Sequence, residues 1–276
     1  MEEFYKEYFS KETIEEATKV KFDILKRYIK DDKIYKFIQF DGDGLLNEKK
    51  INLLYGEKLW FSYYKKLNDP SEYEIKYNLK KVASAAGVSR DSTKRLVESI
   101  KELYDVCSFS YACEKYMWEN YANNGNGICL VFNVDDYDYL YPIVYLPKEK
   151  VNFTKMLIDS YKLLKYGKKG IIQNDKMALL PWILKNPNNG KYDSTKEKEV
   201  RALYCPYDKS EFNYGIIYPE VKNIKRYKGI NVCYSDVGLR LDKIIISYCC
   251  DVEIKEKVIQ YADGKSINVE QWNEFV

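Results

Sequence analysis

Five consecutive residues, Glu197-Lys198-Glu199-Val200-Arg201, hold the densest potential chemistry in this chain. In an extended backbone side chains alternate, so Glu197, Glu199 and Arg201 share one face and Lys198 and Val200 the other. Two neighbouring carboxylates repel, which raises the pKa of one and leaves an acid–base or cation-stabilising pair beside a guanidinium. The ordinary alternative is an edge strand with a solvated charged face. Ser108-Phe109-Ser110 has the same geometry, with two hydroxyls on one side and a ring on the other. Trp118 and Tyr121 stand three apart in a helical stretch, where core packing is the common role and a stacking wall for a base the functional one. Asn68-Asp69-Pro70 is a turn signature, because Asx side chains bond their own backbone and proline fixes the bend.

What is missing narrows the chemistry further. The chain has no histidine, which removes Ser-His and Cys-His nucleophile pairs and histidine metal sites together. The seven cysteines are odd in number and contain no C-x-x-C spacing, so reduced thiols are expected, with neither a disulfide framework nor a zinc site. Asp41-Gly42-Asp43-Gly44 lacks the remaining ligand positions of a calcium loop and reads as a turn, so no metal is expected. Forty-five basic against forty-two acidic residues leave a net charge of +3, too little for a strong field toward nucleic acid or anionic membrane. The 28 tyrosines reflect overall composition, so a tyrosine-rich stretch carries no argument by itself. The acidic start Met1-Glu2-Glu3-Phe4 and the lack of a membrane-length apolar run imply a cytoplasmic protein with no membrane partner.

The elements that must position these residues read as one α+β domain over residues 1–276, with a mixed central sheet flanked by helices and a helical insertion near 152–190. An amphipathic helix over 10–29 opens on Thr13 and Glu16 at capping-box spacing. Strands are expected at Ile34–Phe40, Lys58–Ser62, Val106–Ser110, Ile128–Phe132, Tyr139–Tyr145, Val200–Tyr204, Asn223–Tyr227 and Leu241–Tyr248. Asn47 is expected to cap a helix through Leu54 that ends on a left-handed Gly56. Further helices are expected over 78–104, broken at Gly87, over 113–122, within 154–184 and over 251–262.

Three segments in order carry a resemblance. They are Leu59-Trp60-Phe61-Ser62 running into Asn68-Asp69-Pro70, then Cys107 to Ser110 followed by Met117-Trp118-Glu119-Asn120-Tyr121-Ala122, and last Glu197 to Arg201. Together they resemble the bacterial domain-of-unknown-function family 2971, and the resemblance covers residues 33–260. It implies a fold and no activity. Two departures stand out: Ile38 occupies the place of an arginine in the family pattern, and Asn123 to Gly127 lacks its frequent histidine. The order of serine strand, helix, strand and late E-x-E is similar to that of ADP-ribosyltransferases, which arrange such motifs around NAD. That resemblance implies Glu199 as the catalytic acid, Glu197 as its partner toward the acceptor, and Arg201 as the third member. It also implies that Ser108 or Ser110 orients the ribose, with Tyr35, Lys36, Trp118, Tyr121, Asn68 and Asp69 around a nucleotide cleft. NAD would be the substrate, the acceptor a protein or nucleic acid, and the role that of a toxin or phage-defence effector. Two alternatives stay open. One is a non-catalytic module binding a nucleotide or a protein. The other is a nucleic-acid-binding protein or a metal-dependent nuclease built from Asp69, Glu197, Lys198 and Glu199.

The nucleic-acid alternative has its own motif. Val82 to Leu96, with Ala85-Ala86-Gly87-Val88-Ser89 at its centre, resembles the helix-turn-helix of lac-type repressors without a gap. Such a unit places residues 89–95 in a major groove. Thr93 stands where that motif buries an apolar residue.

Overall fold

The computed structural model describes residues 2–67, 70–165, 178–188, 193–206 and 229–273. It shows an α+β fold around a nine-stranded mixed sheet. At its centre β1 (Lys33–Gln39) lies between β3 (Asp105–Ser110) and β4 (Gly127–Val134). The run Ile128 to Phe132 is apolar throughout because both faces of β4 are covered. Ile128, Leu130 and Phe132 enter the main core, and Cys129 and Val131 pack on the other side with Phe37 and Trp118. Gly127 opens this strand where a Cβ would lie 2.4 Å from the Ile38 carbonyl oxygen, a closeness only glycine permits.

Beyond β4 come β10 (Leu239–Ser247), antiparallel, and β11 (Asn268–Trp272), parallel to β10. On the other flank β2 (Lys58–Ser62) and β9 (Gly229–Cys233) continue the order from β3. The sheet divides at β3. That strand meets β1 at Ser110 and β2 at Val106, while its full length pairs with β8 (Glu199–Tyr204). β8 also pairs with β5 (Leu140–Pro142). A separate parallel pair joins β6 (Val144–Tyr145) to β7 (Leu184–Lys185).

The helices are α1 (Glu2–Ser10), α2 (Ile14–Tyr28), α3 (Gly44–Tyr55), α4 (Leu79–Ala86), α5 (Arg90–Lys101), α6 (Lys115–Tyr121), α7 (Phe153–Lys165), α8 (178–183) and α9 (Val252–Lys265). The capping box of Thr13 and Glu16 is present at the start of α2, so the expected helix over 10–29 forms as one helix over Ile14–Tyr28, with the further helix α1 ahead of it. Asp43, not Asn47, caps α3, accepting from the Leu46 amide at 3.1 Å. Asn47 lies one turn inside and donates to the Asp41 carbonyl at 2.6 Å, and Gly56 ends the helix at φ −84°, so it is not left-handed. The expected strand over 139–145 is split between β5 and β6, which belong to different sheets. The expected strand Asn223–Tyr227 lies outside the described residues. No helix among the described residues is long and apolar enough to cross a membrane.

One face of the β3–β8 pair changes character along its length. Val106 and Leu203 belong to a second core with Tyr73, Val82, Val97 and Trp182. Two and four residues further along β3, that same face becomes Ser108 and Ser110, opposite Arg201 and Glu199.

Candidate functional site: a buried ion cluster at the mouth of β8

Directly opposed residues of an antiparallel pair project to the same side. The registers Ser108↔Arg201 and Ser110↔Glu199 therefore place both serines, Glu199 and Arg201 on one face, with Phe109 and Val200 in the main core behind. The two motifs read from the sequence do meet. Glu197 arrives differently from expectation. It ends a 3₁₀ turn (Ser194–Glu197), and left-handed Lys198 (φ 48°) redirects the chain so that β8 starts at Glu199. Ser110 holds this turn, since its hydroxyl donates to the Glu197 carbonyl at 2.9 Å and accepts from the Ala112 amide at 3.1 Å. Lys198 faces away and pairs with Glu114.

Two residues that no motif singled out complete the cluster. β7 runs beside β6, so Lys185 is in register with Tyr145. Its ammonium pairs with Glu197, with Glu199 at 3.0 Å and with Glu72 at 3.2 Å. Arg201 donates through Nε to Glu199 at 2.6 Å, and through its two terminal nitrogens to Glu72 at 2.7 Å and the Trp182 carbonyl at 2.8 Å. Its guanidinium carbon stands 5.4 Å from the centre of the Tyr73 ring. The Tyr145 hydroxyl accepts from the Glu199 amide at 2.9 Å. Three carboxylates and two cations thus occupy one pocket, with Glu197, Glu199 and Arg201 only 3%, 4% and 2% exposed.

Charges this deep are held only by mutual pairing, because desolvation works against each of them. Burial pushes Glu199 upward, yet Arg201 and Lys185 outweigh it and, with a Ser108 hydrogen bond, hold the carboxyl well below its usual range. Burial and then the negative Glu199 raise Glu197 above its ordinary value, against the pull of Lys185 and Tyr121. Burial opposes the Lys185 charge, but Glu199, Glu72 and Glu197 keep its pKa raised. Two neighbouring acids of opposite tendency are the arrangement used for acid–base work.

The two acids also differ in free valence. Both oxygens of Glu199 are engaged by Arg201 and Lys185. Oε1 of Glu197 is buried and has no hydrogen-bond partner among the described residues. The Tyr121 phenol comes near enough to pull the Glu197 carboxyl downward, and Tyr121 is 36% exposed. Tyr121 therefore marks the side on which the cluster approaches solvent.

Other expected members lie elsewhere. Trp118 is fully buried, edge-on to Phe37 at 5.2 Å and stacked on Trp272 at 5.3 Å, so it serves packing. Tyr35 is opposite Ser110 on β1 but packs with the Phe37 and Trp118 group. Lys36 projects to the other face, where its ammonium donates to the Ser108 carbonyl at 2.9 Å and sits 5.7 Å from the Phe109 ring centre. Asn68 and Asp69 fall outside the described residues, while Glu72, in the 3₁₀ turn just after them, reaches Arg201. The one sequence signal for Lys185 is a lone cation closing an apolar run, 178–184. No protein-family model matches the chain, and no curated protein or solved structure matches it.

Proposed function

We propose that the chain cleaves the nicotinamide–ribose bond of NAD and passes the ADP-ribosyl group to an acceptor hydroxyl, as a NAD-consuming effector or defence protein would. The C1′–N bond breaks with its electron pair leaving on nicotinamide, and an oxocarbenium-like ribose is captured by the acceptor oxygen. A carboxylate beside that centre stabilises the charge and takes the acceptor's proton. The observation that carries this reading is the buried Oε1 of Glu197, without a hydrogen-bond partner among the described residues, next to half-exposed Tyr121.

The roles of the two acids are exchanged relative to the E-x-E expectation. Glu199, fully engaged by Arg201 and Lys185, is a positioning residue that fixes the cations around its neighbour. Glu197, raised above its ordinary value by burial and then by Glu199, meets the ribose and the acceptor. Ser108 orients the sugar and the Tyr121 ring stacks on the leaving base. Incubating the folded protein with NAD and measuring free nicotinamide by chromatography tests the assignment. Glu197→Gln is expected to lower the rate by about 10²–10³-fold. Absence of nicotinamide release from folded wild-type protein sinks it. The complete neutralisation of Glu199 by two cations favours a second reading, a nucleotide-binding module without chemistry. Calorimetric binding of NAD with no released nicotinamide would select that one.

A further inference from the structure

The helix pair α4–α5 lies outside the acid cluster and carries a surface of its own. Asn78 caps α4, its side chain accepting from the Lys81 amide at 3.0 Å, and its own amide donates to Thr154 at the start of α7 at 2.9 Å. Gly87 adopts φ +69°, a left-handed turn that glycine makes without strain, and Ser89 then caps α5 by accepting from the Ser92 amide at 3.0 Å. Thr93 is the residue that argues against a helix-turn-helix in the sequence. In the fold it is fully buried, and its hydroxyl donates to the Ser89 carbonyl at 3.2 Å. The polar group is satisfied within its own helix, so threonine fills the apolar position of the motif.

On the buried side of the pair Val82, Val97 and Ile100 enter the second core, and Ala83 is buried beside Val82. The opposite side of α5 exposes Arg90, Asp91, Lys94, Arg95 and Glu98, and the start of α4 exposes Lys80 and Lys81. Glu98 is engaged by Lys101 and Tyr64. Among the described residues no carboxylate pairs with Lys80, Lys81, Arg90 or Lys94. The exposed positions of the two helices thus carry more cations than acids, with Lys80, Lys81, Arg90, Lys94 and Arg95 against Asp91 and Glu98.

We propose that α4 and α5 form a contact surface for duplex DNA, with the first turns of α5 in the major groove and these four cations on flanking phosphates. B-form DNA has a major groove about 12 Å wide that admits a helix, whereas the groove of A-form RNA is too deep and narrow. The proposal stands apart from the reaction at Glu197 and does not require it.

Fluorescence anisotropy with the full chain and a mixed-sequence duplex of about 30 base pairs, from about 50 to 200 mM salt, tests it. Four phosphate contacts predict that log K falls with log salt at a slope of about −3 to −4. Arg90→Ala combined with Lys94→Ala is expected to reduce that slope by about 2 and to weaken binding at least roughly tenfold, with the melting temperature unchanged. A control pair on distant exposed positions, Lys19→Ala with Lys49→Ala, should bind as wild type. No duplex binding at the low-salt end overturns the proposal, as does undiminished binding by the Arg90/Lys94 variant. Tighter binding of single-stranded RNA of the same sequence also overturns it.

Discussion

The open cavity between α3 and α9 and the closed ion cluster at the start of β8 are both rich in acids, yet they use them in opposite ways. The cavity holds about 930 Å³ and is lined by Asp41, Glu48, Asp251 and Glu253 among others. Its acids have local structural duties: Asp251 caps α9, Glu253 pairs with Lys257 one turn on, and Asp41 bonds the Asp43 amide. The acids of the cluster instead pair with buried cations. Glu72, Glu197 and Glu199 are held away from water by two cations, against a desolvation penalty that local structure does not require. Void size therefore says where a molecule could sit. Charge kept dry against its preference is the ground for the proposal at Glu197.

Substitutions test the contrast from its strongest point outward. Arg201→Met leaves Glu199 and Glu72 facing Lys185 alone and is expected to lower stability by about 3–5 kcal/mol in urea titration. A loss below about 1 kcal/mol would mean that the cluster is hydrated, as a surface network is.

Titration separates the two acids next. Glu199 has a depressed pKa, so its contribution is present above the ordinary carboxylate value of 4.5 and disappears as pH falls through its lower folded value. Glu197 has a raised pKa, so its contribution is present below 4.5 and is lost as pH rises through its higher folded value. Glu197→Gln should therefore melt with wild type in acid and gain on it as pH climbs toward neutrality. Parallel curves across that range would show that Glu197 is ionised throughout. At the small end, Glu48→Ala on the cavity wall is expected to change stability by no more than about 0.5 kcal/mol. A larger loss there would erase the distinction between the two regions.

The sequence made some of this legible and hid the rest for identifiable reasons. That Ser108 and Ser110 share one face, and Glu199 and Arg201 likewise, is readable in advance because alternation along a strand is a local property, and the registers agree with it. Glu197 escapes the alternation because Lys198 takes a left-handed conformation, which only the surrounding turn imposes on a lysine. Trp118 and Tyr121 look equivalent in sequence, yet one stacks in a core and the other borders the acids, depending on which side α6 turns to the sheet. Lys185 and Glu72 carry no motif, and β11 was missed because a short polar strand shows little periodicity.

The start of α2, the covered central strand and the lack of histidine chemistry were readable from short windows, because each depends on neighbours within a few residues. Which charges share a low-dielectric pocket was decided by the packing of chain segments more than a hundred residues apart, as with Glu72 and Arg201. Pairing energy and desolvation depend on distance in space, and no stretch of sequence records that distance.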